Sequence, residues 1–284
     1  MTVLPRRAAV LGKPIAHSLS PVIHNAGYAA AGLTGWSYTR IECAAAELPD
    51  LVAGLGPEWA GLSVTMPGKE AALTVAAEVS PVAAAVGAAN TLVRRPDGTW
   101  YADNTDVTGM VDVLMSAGVG ASASGVVPSV TVLGAGGTAR AALAAAARLG
   151  ATGVTVVARR PAAVDELAPV ATALGLTLTA ASWADAAALA DVDLLISTVP
   201  KGAADELAGV VRWRSATVLF DAIYDPWPTP LAASAAAAGC PVVSGLDLLL
   251  AQAVGQFEQF TGVPAPRAAM TAALTAARVA AQVD

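Results

Sequence analysis

The stretch Ser129–Arg140, SVTVLGAGGTAR, decides the fold of this chain. Its run of β-prone residues, Val130–Leu133, predicts a buried strand, and the alanine-rich segment Arg140–Leu149 predicts a helix directly after it. The G-x-G-x-x-A turn from Gly134 to Ala139 connects the two. A glycine turn also occurs for purely structural reasons, but a strand before it and a helix after it favour a dinucleotide-binding βαβ unit.

Each small residue of this turn has a separate physical role in such a unit. Gly134 permits the tight turn, Gly136 lets the backbone approach a pyrophosphate, and Ala139 lets the helix pack close to the strand. The phosphate charge then lies at the helix start, where backbone N–H groups have no partner within the helix. We expect the cofactor loop to comprise Gly134, Ala135, Gly136, Gly137, Thr138 and Ala139.

The end of the next strand indicates which dinucleotide binds. Val154–Val157 is a second apolar run and ends in Ala158, Arg159 and Arg160, with no acid before Asp165. A site for NAD usually carries Asp or Glu there, which holds the ribose hydroxyls. A guanidinium instead suits the 2′-phosphate of NADP. Arg160 taken singly also fits a solvated surface group, but the pair in this position predicts NADP(H).

Composition and charge bound the class of protein. The chain has 284 residues, 55% of them hydrophobic, which suffices for one large or two modest cores, and its net charge is −6. The acidic balance argues against nucleic acid and against an anionic membrane surface as partners. Much of the hydropathy comes from alanine, and the long uncharged stretch Val113–Ala139 is too rich in Gly, Ser and Pro to cross a membrane.

The cysteines, the histidines and the N-terminal segment bear on compartment and metal binding. Cys43 and Cys240 are far apart and in no metal or redox spacing, so a reducing cytosol is expected. His17 and His24 lie seven residues apart without an acidic or Cys companion, so we expect no metal site. Lys13 and the proline after it interrupt the first apolar run, so no signal peptide is evident. The sequence thus predicts a cytoplasmic protein, either a monomer or a homodimer.

A second stretch predicts an anion site. Ser18 and Ser20 precede Pro21 at the start of a predicted helix that continues to about Ala31. Ser20 is expected as the N-cap and Pro21 as the first helical residue. Hydroxyls at a helix start suit a small anion such as a carboxylate, although each serine also fits a simple capping role.

Strand ends supply further polar groups. Gly61–Thr65 predicts a strand, and Lys69 follows a Pro-Gly turn at its carboxyl end, where open α/β sheets place ligand-binding groups. An ordinary solvated surface lysine is the alternative interpretation. Asp106 follows a predicted hairpin, where an acid is usually a turn or capping residue.

The predicted elements divide the chain into two α/β domains with the active-site cleft between them. The first comprises residues 1–106 and 246–284, and the second, which contains the glycine loop, comprises residues 107–245. A Gly/Ser/Val linker, Gly118–Pro128, follows a predicted helix over Val107–Ala117. Further helices are predicted over 44–55, 70–78, 161–174, 183–190, 246–260 and 267–283.

Taken in order, these motifs resemble the shikimate dehydrogenase family along almost the whole chain. Gly12–Asn25 is similar to its substrate-carboxylate motif, and Ser63–Lys69 to its catalytic-lysine motif, which usually opens with Asn. Ala158 likewise stands where the family often has Asn. The later signatures match at Gly87–Thr91, Asn104–Asp106, Ser197–Pro200, Asp221–Pro226 and Gly245–Ala253.

The resemblance implies an N-terminal α/β substrate-binding domain and a Rossmann-type NADP-binding domain. It also implies reversible reduction of 3-dehydroshikimate to shikimate by NADPH, a step of chorismate and aromatic amino-acid biosynthesis. Lys69 and Asp106 would form the acid–base pair, with the ammonium as the proton donor. The binding residues that it implies are Ser18, Ser20 and Tyr224 at the substrate carboxylate, Thr65, Asn90 and Gln252 at the ring hydroxyls, and Thr198 and Gly245 at the cofactor.

Three alternatives share parts of this pattern. A quinate or dual quinate/shikimate dehydrogenase has the same fold, but quinate is commonly handled with NAD, whereas the two serines and the arginine pair favour shikimate and NADP. A non-catalytic ligand sensor would have a damaged Lys69 or Asp106, or an added DNA-binding module, and neither is present. A methylene-tetrahydrofolate or glutamyl-tRNA type reductase shares the nucleotide-binding half but not the serine motif.

Overall fold

The computed structural model describes residues 5–120 and 128–281 of the chain. Two compact units make up the fold: Met1–Asp106 together with Leu249–Asp284, and Val107–Leu248. Most of the predicted linker lies outside the described residues, which leave out 121–127. In the two described ranges, no helix is both long and apolar enough to cross a membrane.

Strands form where apolar residues run together or alternate with polar ones. In chain order they are β1 (Arg6–Gly12), β2 (Trp36–Glu42), β3 (Trp59–Val64), β4 (Glu78–Val79), β5 (Thr91–Arg94), β6 (Trp100–Asp103), β7 (Val130–Leu133), β8 (Gly153–Ala158), β9 (Thr177–Ser182), β10 (Leu194–Ser197), β11 (Val218–Asp221) and β12 (Val242–Ser244).

Helices form mainly in the alanine-rich segments, since alanine has the highest helix propensity. In chain order they are α1 (Ser20–Ala30), α2 (Leu48–Ala53), α3 (Ala71–Thr74), α4 (Pro81–Val86), α5 (Thr105–Ser116), α6 (Gly137–Arg148), α7 (Pro161–Asp165), α8 (Ala168–Ala173), α9 (Pro230–Ala237), α10 (Gly245–Thr261) and α11 (Arg267–Ala281).

The sheet of the first unit is mixed, with the strand order β2-β1-β3-β5-β6-β4. Strand β1 runs parallel to both β2 and β3, and Leu11 lies opposite Val64 in that register. The hairpin of β5 and β6 continues the sheet antiparallel to β3. The carboxyl ends of β1 and β3 therefore lie side by side, and the loops that follow them leave the sheet at the same edge.

The sheet of the second unit is parallel throughout, with the order β12-β11-β10-β7-β8-β9. Counted from β7 as its first strand, this is the 3-2-1-4-5-6 order of a dinucleotide-binding fold, and the order reverses between β7 and β10. The predicted α/β class is confirmed. Helix α6 packs on this sheet through a buried face made largely of alanine, so backbone and sheet approach closely.

Several predicted helices are shorter than expected or absent. The segment 161–174 forms two helices, α7 and α8, because Pro169 fits the first turn of a helix and not its interior. The segment 70–78 forms only α3, and Glu78 instead begins β4, which pairs with β6. The segment 183–190 forms two single 3-10 turns, Trp183–Asp185 and Ala188–Ala190. In the segment 70–78, the helix propensity of the sequence is overridden at Glu78 by the pairing of β4 with β6.

Candidate functional site

The loops after β1 and β3 are joined by short backbone contacts. The Thr65 N–H donates to the Leu11 carbonyl at 2.9 Å, and the Lys13 N–H donates to the Met66 carbonyl at 3.1 Å. A Cβ on Gly12 would lie 2.5 Å from Thr65 Cγ2 and 2.9 Å from the Met66 oxygen. Only glycine fits at this position. Thr65 is thereby held beside the segment with Ser18 and Ser20 that follows β1, here called the serine loop.

The serine loop starts helix α1 differently from the prediction. Ser20 is the first helical residue of α1, and Leu19 occupies the N-cap position of the helix. No side chain caps the helix by a hydrogen bond. The predicted N-cap role of Ser20 is therefore wrong. The Ser18 hydroxyl instead accepts from the Ser20 N–H at 3.3 Å, the local turn that serine commonly makes with the residue two positions ahead. Both predicted serines lie at the helix start.

Arg40 is a polar neighbour of this loop that the sequence does not single out. It lies on β2, and its guanidinium donates to the Ser18 carbonyl, with the Nε atom at 2.9 Å. A fixed positive charge therefore lies beside the two serines. An isolated arginine on an exposed strand face carries no sequence signal, because most such arginines are ordinary surface groups.

Lys69 and Asp106 form the predicted pair. Lys69 Nζ lies 2.6 Å from Asp106 Oδ2, and the two side chains are 26% and 15% exposed. Asp106 lies in the first turn of α5, where the helix dipole favours a negative charge. The backbone of Lys69 is fixed as well, because its carbonyl accepts from the Ala89 N–H at 2.8 Å. The ammonium is thus held in place while a quarter of its side chain stays open to solvent.

Asn90 and Gln252 also come together. Asn90 Oδ1 accepts from the Thr105 N–H at 2.8 Å and from the hydroxyls of Thr91 and Thr105 at 2.8 and 3.1 Å. Asn90 Nδ2 lies 3.5 Å from Gln252 Oε1. Because Ala89 bonds Lys69 and Thr105 precedes Asp106, Asn90 lies next to the charged pair. Five predicted residues, including Thr65, thus belong to one region of the first unit.

A buried polar cluster beneath Asn90 was missed by sequence reasoning. Ser63, which replaces the usual Asn, accepts from the Tyr38 hydroxyl at 2.6 Å and donates to Gln256 Oε1 at 2.6 Å. Gln256 Nε2 donates to the Asn90 carbonyl at 3.0 Å. The position of Gln256 four residues after Gln252 was the available signal, since residues four apart share a helix face.

The glycine loop of the second unit lies between β7 and α6, as predicted. Gly134 has a φ of +97°, and a Cβ there would lie 2.8 Å from Thr198 Oγ1. Thr198 in turn donates its hydroxyl to the Leu133 carbonyl at 2.9 Å. Helix α6 starts with Gly136 as N-cap and no side-chain cap, and nothing lies within 4 Å of a Cβ placed on Gly136. This uncrowded helix start has the form of a phosphate site.

A cavity of about 550 Å³ adjoins this loop. Its lining includes six of the predicted cofactor residues: Gly134, Ala135, Gly136, Arg159, Arg160 and Thr198. Both arginines are exposed, and neither guanidinium has a hydrogen-bond or ion-pair partner within the described part of the chain. Trp183, on the first 3-10 turn after β9, also lines the cavity and was not predicted. A lone tryptophan after a weak strand gives no cofactor signal in sequence.

The other predicted residues of this unit lie elsewhere. Gly137, Thr138, Ala139 and Gly245 are not part of the cavity lining. Ala139 is fully buried in the core under α6, which agrees with its predicted packing role. A Cβ on Gly245 would clash with the Ala222 carbonyl and lie 3.1 Å from Tyr224 Cδ1. Gly245 therefore allows the start of α10 to pack against the segment that carries Tyr224.

Asp221 is a buried acid at the end of β11. Its Oδ2 accepts from the Thr229 hydroxyl at 2.7 Å, and its Oδ1 accepts from the Ile223 N–H at 3.2 Å. Burial raises the pKa of this carboxyl above its usual value, although these hydrogen bonds oppose the change. Asp221 orders the Asp221–Pro226 segment and has no open side toward solvent.

Two family models match the chain. The shikimate dehydrogenase substrate binding domain matches residues 10–92, and the shikimate 5'-dehydrogenase C-terminal domain matches residues 245–275. A curated relative, the NADP(+) shikimate dehydrogenase of Methylobacterium radiotolerans, is 39% identical in an alignment of 275 positions that covers 94% of this chain and 95% of that protein.

Solved structures give the same result over nearly the full length. Shikimate dehydrogenase of Mycobacterium tuberculosis is 50% identical with a TM-score of 0.85, and the match covers 96% of this chain and 100% of that one. Shikimate 5-dehydrogenase of Thermus thermophilus in complex with NADP(H) and shikimate is 30% identical with a TM-score of 0.80, covering 96% and 99%. The chain therefore belongs to the shikimate dehydrogenase family.

Proposed function

We propose that this protein is an NADP-dependent shikimate dehydrogenase, which reversibly reduces 3-dehydroshikimate to shikimate in the shikimate pathway. The observation that carries the proposal is the Lys69–Asp106 pair at 2.6 Å, partly exposed and adjacent to Asn90, in a chain of this family. A buried structural ion pair would not need a side exposed to solvent. A partly exposed pair leaves the ammonium accessible to a ligand.

The reaction needs a proton at the ketone oxygen and a hydride at the carbon. NADPH supplies the hydride when it is bound. The Lys69 ammonium donates a proton from Nζ to the developing alkoxide, and the neutral amine then recovers a proton from solvent. Asp106 holds the ammonium in place by its 2.6 Å contact. In the oxidation direction the same amine accepts the hydroxyl proton.

Substrate orientation is assigned to the polar groups around this pair. Ser18 and Ser20, at the start of α1, would hold the carboxylate, and the Arg40 charge beside them favours an anion. The role of Tyr224 at the carboxylate is a prediction of the family resemblance. Thr65, Asn90 and Gln252 would hold ring hydroxyls. Asn90 Oδ1 already accepts three hydrogen bonds, so Asn90 is left to act as a donor through Nδ2.

The second unit suits NADP. The uncapped start of α6 and the open space at Gly136 fit a pyrophosphate, because backbone N–H groups and the helix dipole favour negative charge there. Arg159 and Arg160 would hold the 2′-phosphate, since both line the cavity and have no acidic partner among the described residues. The cofactor would thus be held by residues of 107–245, and the substrate mainly by residues of 1–106 and 246–284.

The test is a set of initial rates with purified protein. Shikimate and quinate would each be supplied with NADP⁺ and with NAD⁺, and reduced nicotinamide followed by absorbance. We expect turnover with shikimate and NADP⁺ to exceed every other combination by at least about tenfold, the effect of one charge-assisted hydrogen bond. Preferred use of quinate and NAD⁺ would replace the proposed specificity, and no turnover with any pair would overturn the proposed function.

A further inference from the structure

Tyr38, Ser63, Gln256 and Thr91 form a continuous hydrogen-bonded chain that ends at Asn90. All are nearly excluded from solvent, with relative exposures between 0% and 4%. The Tyr38–Ser63 and Ser63–Gln256 contacts are 2.6 Å each. Gln256 Nε2 then lies 3.1 Å from Thr91 Oγ1, which lies 2.8 Å from Asn90 Oδ1. Residues from β2, β3, α10 and β5 are thereby joined under one predicted substrate-binding side chain.

One backbone group determines the direction of the hydrogen bonds from Tyr38 to Thr91. The Asn90 carbonyl can only accept, so Gln256 must present its NH₂ group there, at 3.0 Å. Gln256 Oε1 then lies against Ser63, whose hydroxyl must donate to it, and Tyr38 must donate to Ser63. On the other side, the Thr91 hydroxyl accepts from Gln256, and its proton goes to Asn90 Oδ1 at 2.8 Å or to Thr105 Oγ1 at 3.2 Å.

The contacts of Asn90 allow only one orientation of its side-chain amide. Its Oδ1 is saturated by Thr91 and by the N–H and hydroxyl of Thr105. A reversed amide would place an NH₂ group against the Thr105 N–H, which also donates. Asn90 can therefore offer only N–H donors, and a ligand atom opposite Nδ2 has to be an acceptor.

We propose that Gln256 is a positioning residue: it holds the Asn90 carbonyl and the Thr91 hydroxyl, so that Asn90, whose amide orientation is set by the Thr105 N–H, keeps Nδ2 directed at an acceptor oxygen of the substrate. The inference rests on the proposed function for the identity of that oxygen as a ring hydroxyl. The far end of the chain is rigid as well. The Tyr38 backbone makes two hydrogen bonds of 2.9 Å with Asn25, and the Tyr38 ring stacks on His24 with centroids 4.2 Å apart.

The test substitutes Gln256→Met, which keeps length and volume but removes both the donor and the acceptor. We expect the KM for shikimate to rise about tenfold or more, with the KM for NADP⁺ and the pH dependence of kcat unchanged, since Lys69 and Asp106 are not touched. The matched control is Gln259→Met on the same helix, because Gln259 donates to Asp103 at 2.7 Å and takes no part in the hydrogen bonds between Tyr38 and Asn90. We expect that variant to retain both KM values.

A double-mutant cycle separates positioning from a merely structural role. In an Asn90→Ala background, Gln256→Met should cause no further loss of kcat/KM for shikimate, since its effect passes through Asn90. Losses that multiply, or equal increases in both KM values, would overturn the inference. Wild-type turnover in the same assay tests the proposed function separately: an inactive wild type would defeat that function, whereas an active wild type with unchanged Gln256→Met kinetics would defeat only the positioning role.

If Gln256→Met does not fold, Tyr38→Phe carries the test. This variant leaves Gln256 in place but removes the donor that orients the Ser63 hydroxyl. The expected result is a smaller rise, about two- to fivefold, in the KM for shikimate alone. An unchanged KM, or a matching rise for NADP⁺, would count against the chain of hydrogen bonds as a positioning device.

Discussion

The polar groups of the two units are arranged in opposite ways. In the first unit, Lys69 is paired with Asp106 at 2.6 Å, and Asn90 already accepts three hydrogen bonds. In the second unit, Arg159 and Arg160 line a cavity of about 550 Å³ and have no partner among the residues described. One region satisfies its charges internally, whereas the other leaves them for a ligand.

The difference follows from what each region has to do. A group that moves a proton must be held within hydrogen-bond distance of the reacting atom, so its geometry is set before the ligand arrives. A group that binds a phosphate needs only an accessible charge, because the ligand itself brings the partner. Loss of a paired group should therefore reduce turnover, and loss of an unpaired one should reduce affinity.

The largest effect is expected where the paired region is broken. Lys69→Met should lower kcat by about 10²- to 10⁴-fold, the usual contribution of a positioned proton donor, while the KM for NADP⁺ stays near its original value. Steady-state rates with shikimate measure it. Arg95→Met is the control, since it breaks an ion pair at 2.9 Å whose side chains are 42% and 66% exposed. Near-normal kcat for Lys69→Met would remove Lys69 from the chemistry.

The next effect concerns the unpaired region. Replacing Arg159 and Arg160 together by Ala should raise the KM for NADP⁺ by about 10- to 100-fold, since charge-assisted hydrogen bonds contribute about 1.5–3 kcal/mol. The KM for NAD⁺ should change little, because NAD⁺ lacks the 2′-phosphate. Arg148→Ala, on the exposed last turn of α6, serves as the control. A parallel loss with both cofactors would show that the arginines do not read the phosphate.

Two glycines of the same loop sharpen the comparison between structure and binding. Gly134→Ala should lower the free energy of unfolding by about 1–3 kcal/mol, because an alanine at φ +97° is strained and its Cβ would meet Thr198. Gly136→Ala should lower the stability by less, because its Cβ meets nothing within 4 Å and only the N-cap preference for glycine over alanine is lost. The same change should raise the KM for NADP⁺. Urea denaturation and cofactor titration measure the two effects, and equal destabilisation would contradict them.

The smallest effect comes from a buried charge in the second unit. Burial raises the pKa of Asp221, so its contribution to stability is complete at acid pH and is lost as the pH rises through the folded-state pKa. Asp221→Asn should therefore increase the free energy of unfolding at pH 7 more than at pH 4. A tenfold difference in proton affinity between the folded and unfolded states corresponds to about 1.4 kcal/mol of stability.

Asp193 serves as a control because its pKa changes in the opposite direction from that of Asp221. Hydrogen bonds from the Ser129 N–H and hydroxyl, both at 2.8 Å, lower the pKa of its carboxyl. Its contribution to stability is therefore present at neutral pH and lost as the pH falls through the folded-state pKa. Asp193→Asn should weaken the fold at pH 7 and have little effect at low pH. The same sign for both variants in urea melts would refute the assignment of these shifts.

Sequence reasoning was most accurate where a residue type has one physical use. The buried strands β7 and β8 are short apolar runs, and their approximate positions were predicted. Gly134 is required by a positive φ, and Lys69 and Asp106 were named in advance and form an ion pair. In each case the pattern leaves few alternative structures.

The predictions that failed involve residues with several uses. Alanine favours helix but carries little hydrophobic contrast, so the alanine-rich segments 70–78 and 183–190 have no clear 3.6-residue period. Gln256 and Arg40 belong to no motif, and their roles depend on contacts with residues distant in sequence. The four-residue spacing from Gln252 places Gln256 on the same helix face, but the partners of Gln256 and Arg40 depend on how the sheet and the helices pack.

The burial of the Tyr38–Ser63–Gln256 chain has a spectroscopic consequence. Exchangeable protons on these side chains reach solvent water only when this part of the first unit opens, since each group is at most 4% exposed. In deuterated water, the side-chain amide signals of Gln256 should therefore outlast those of Gln259, which is only partly buried. Their decay would report local opening of the fold directly, in protein that is not turning over.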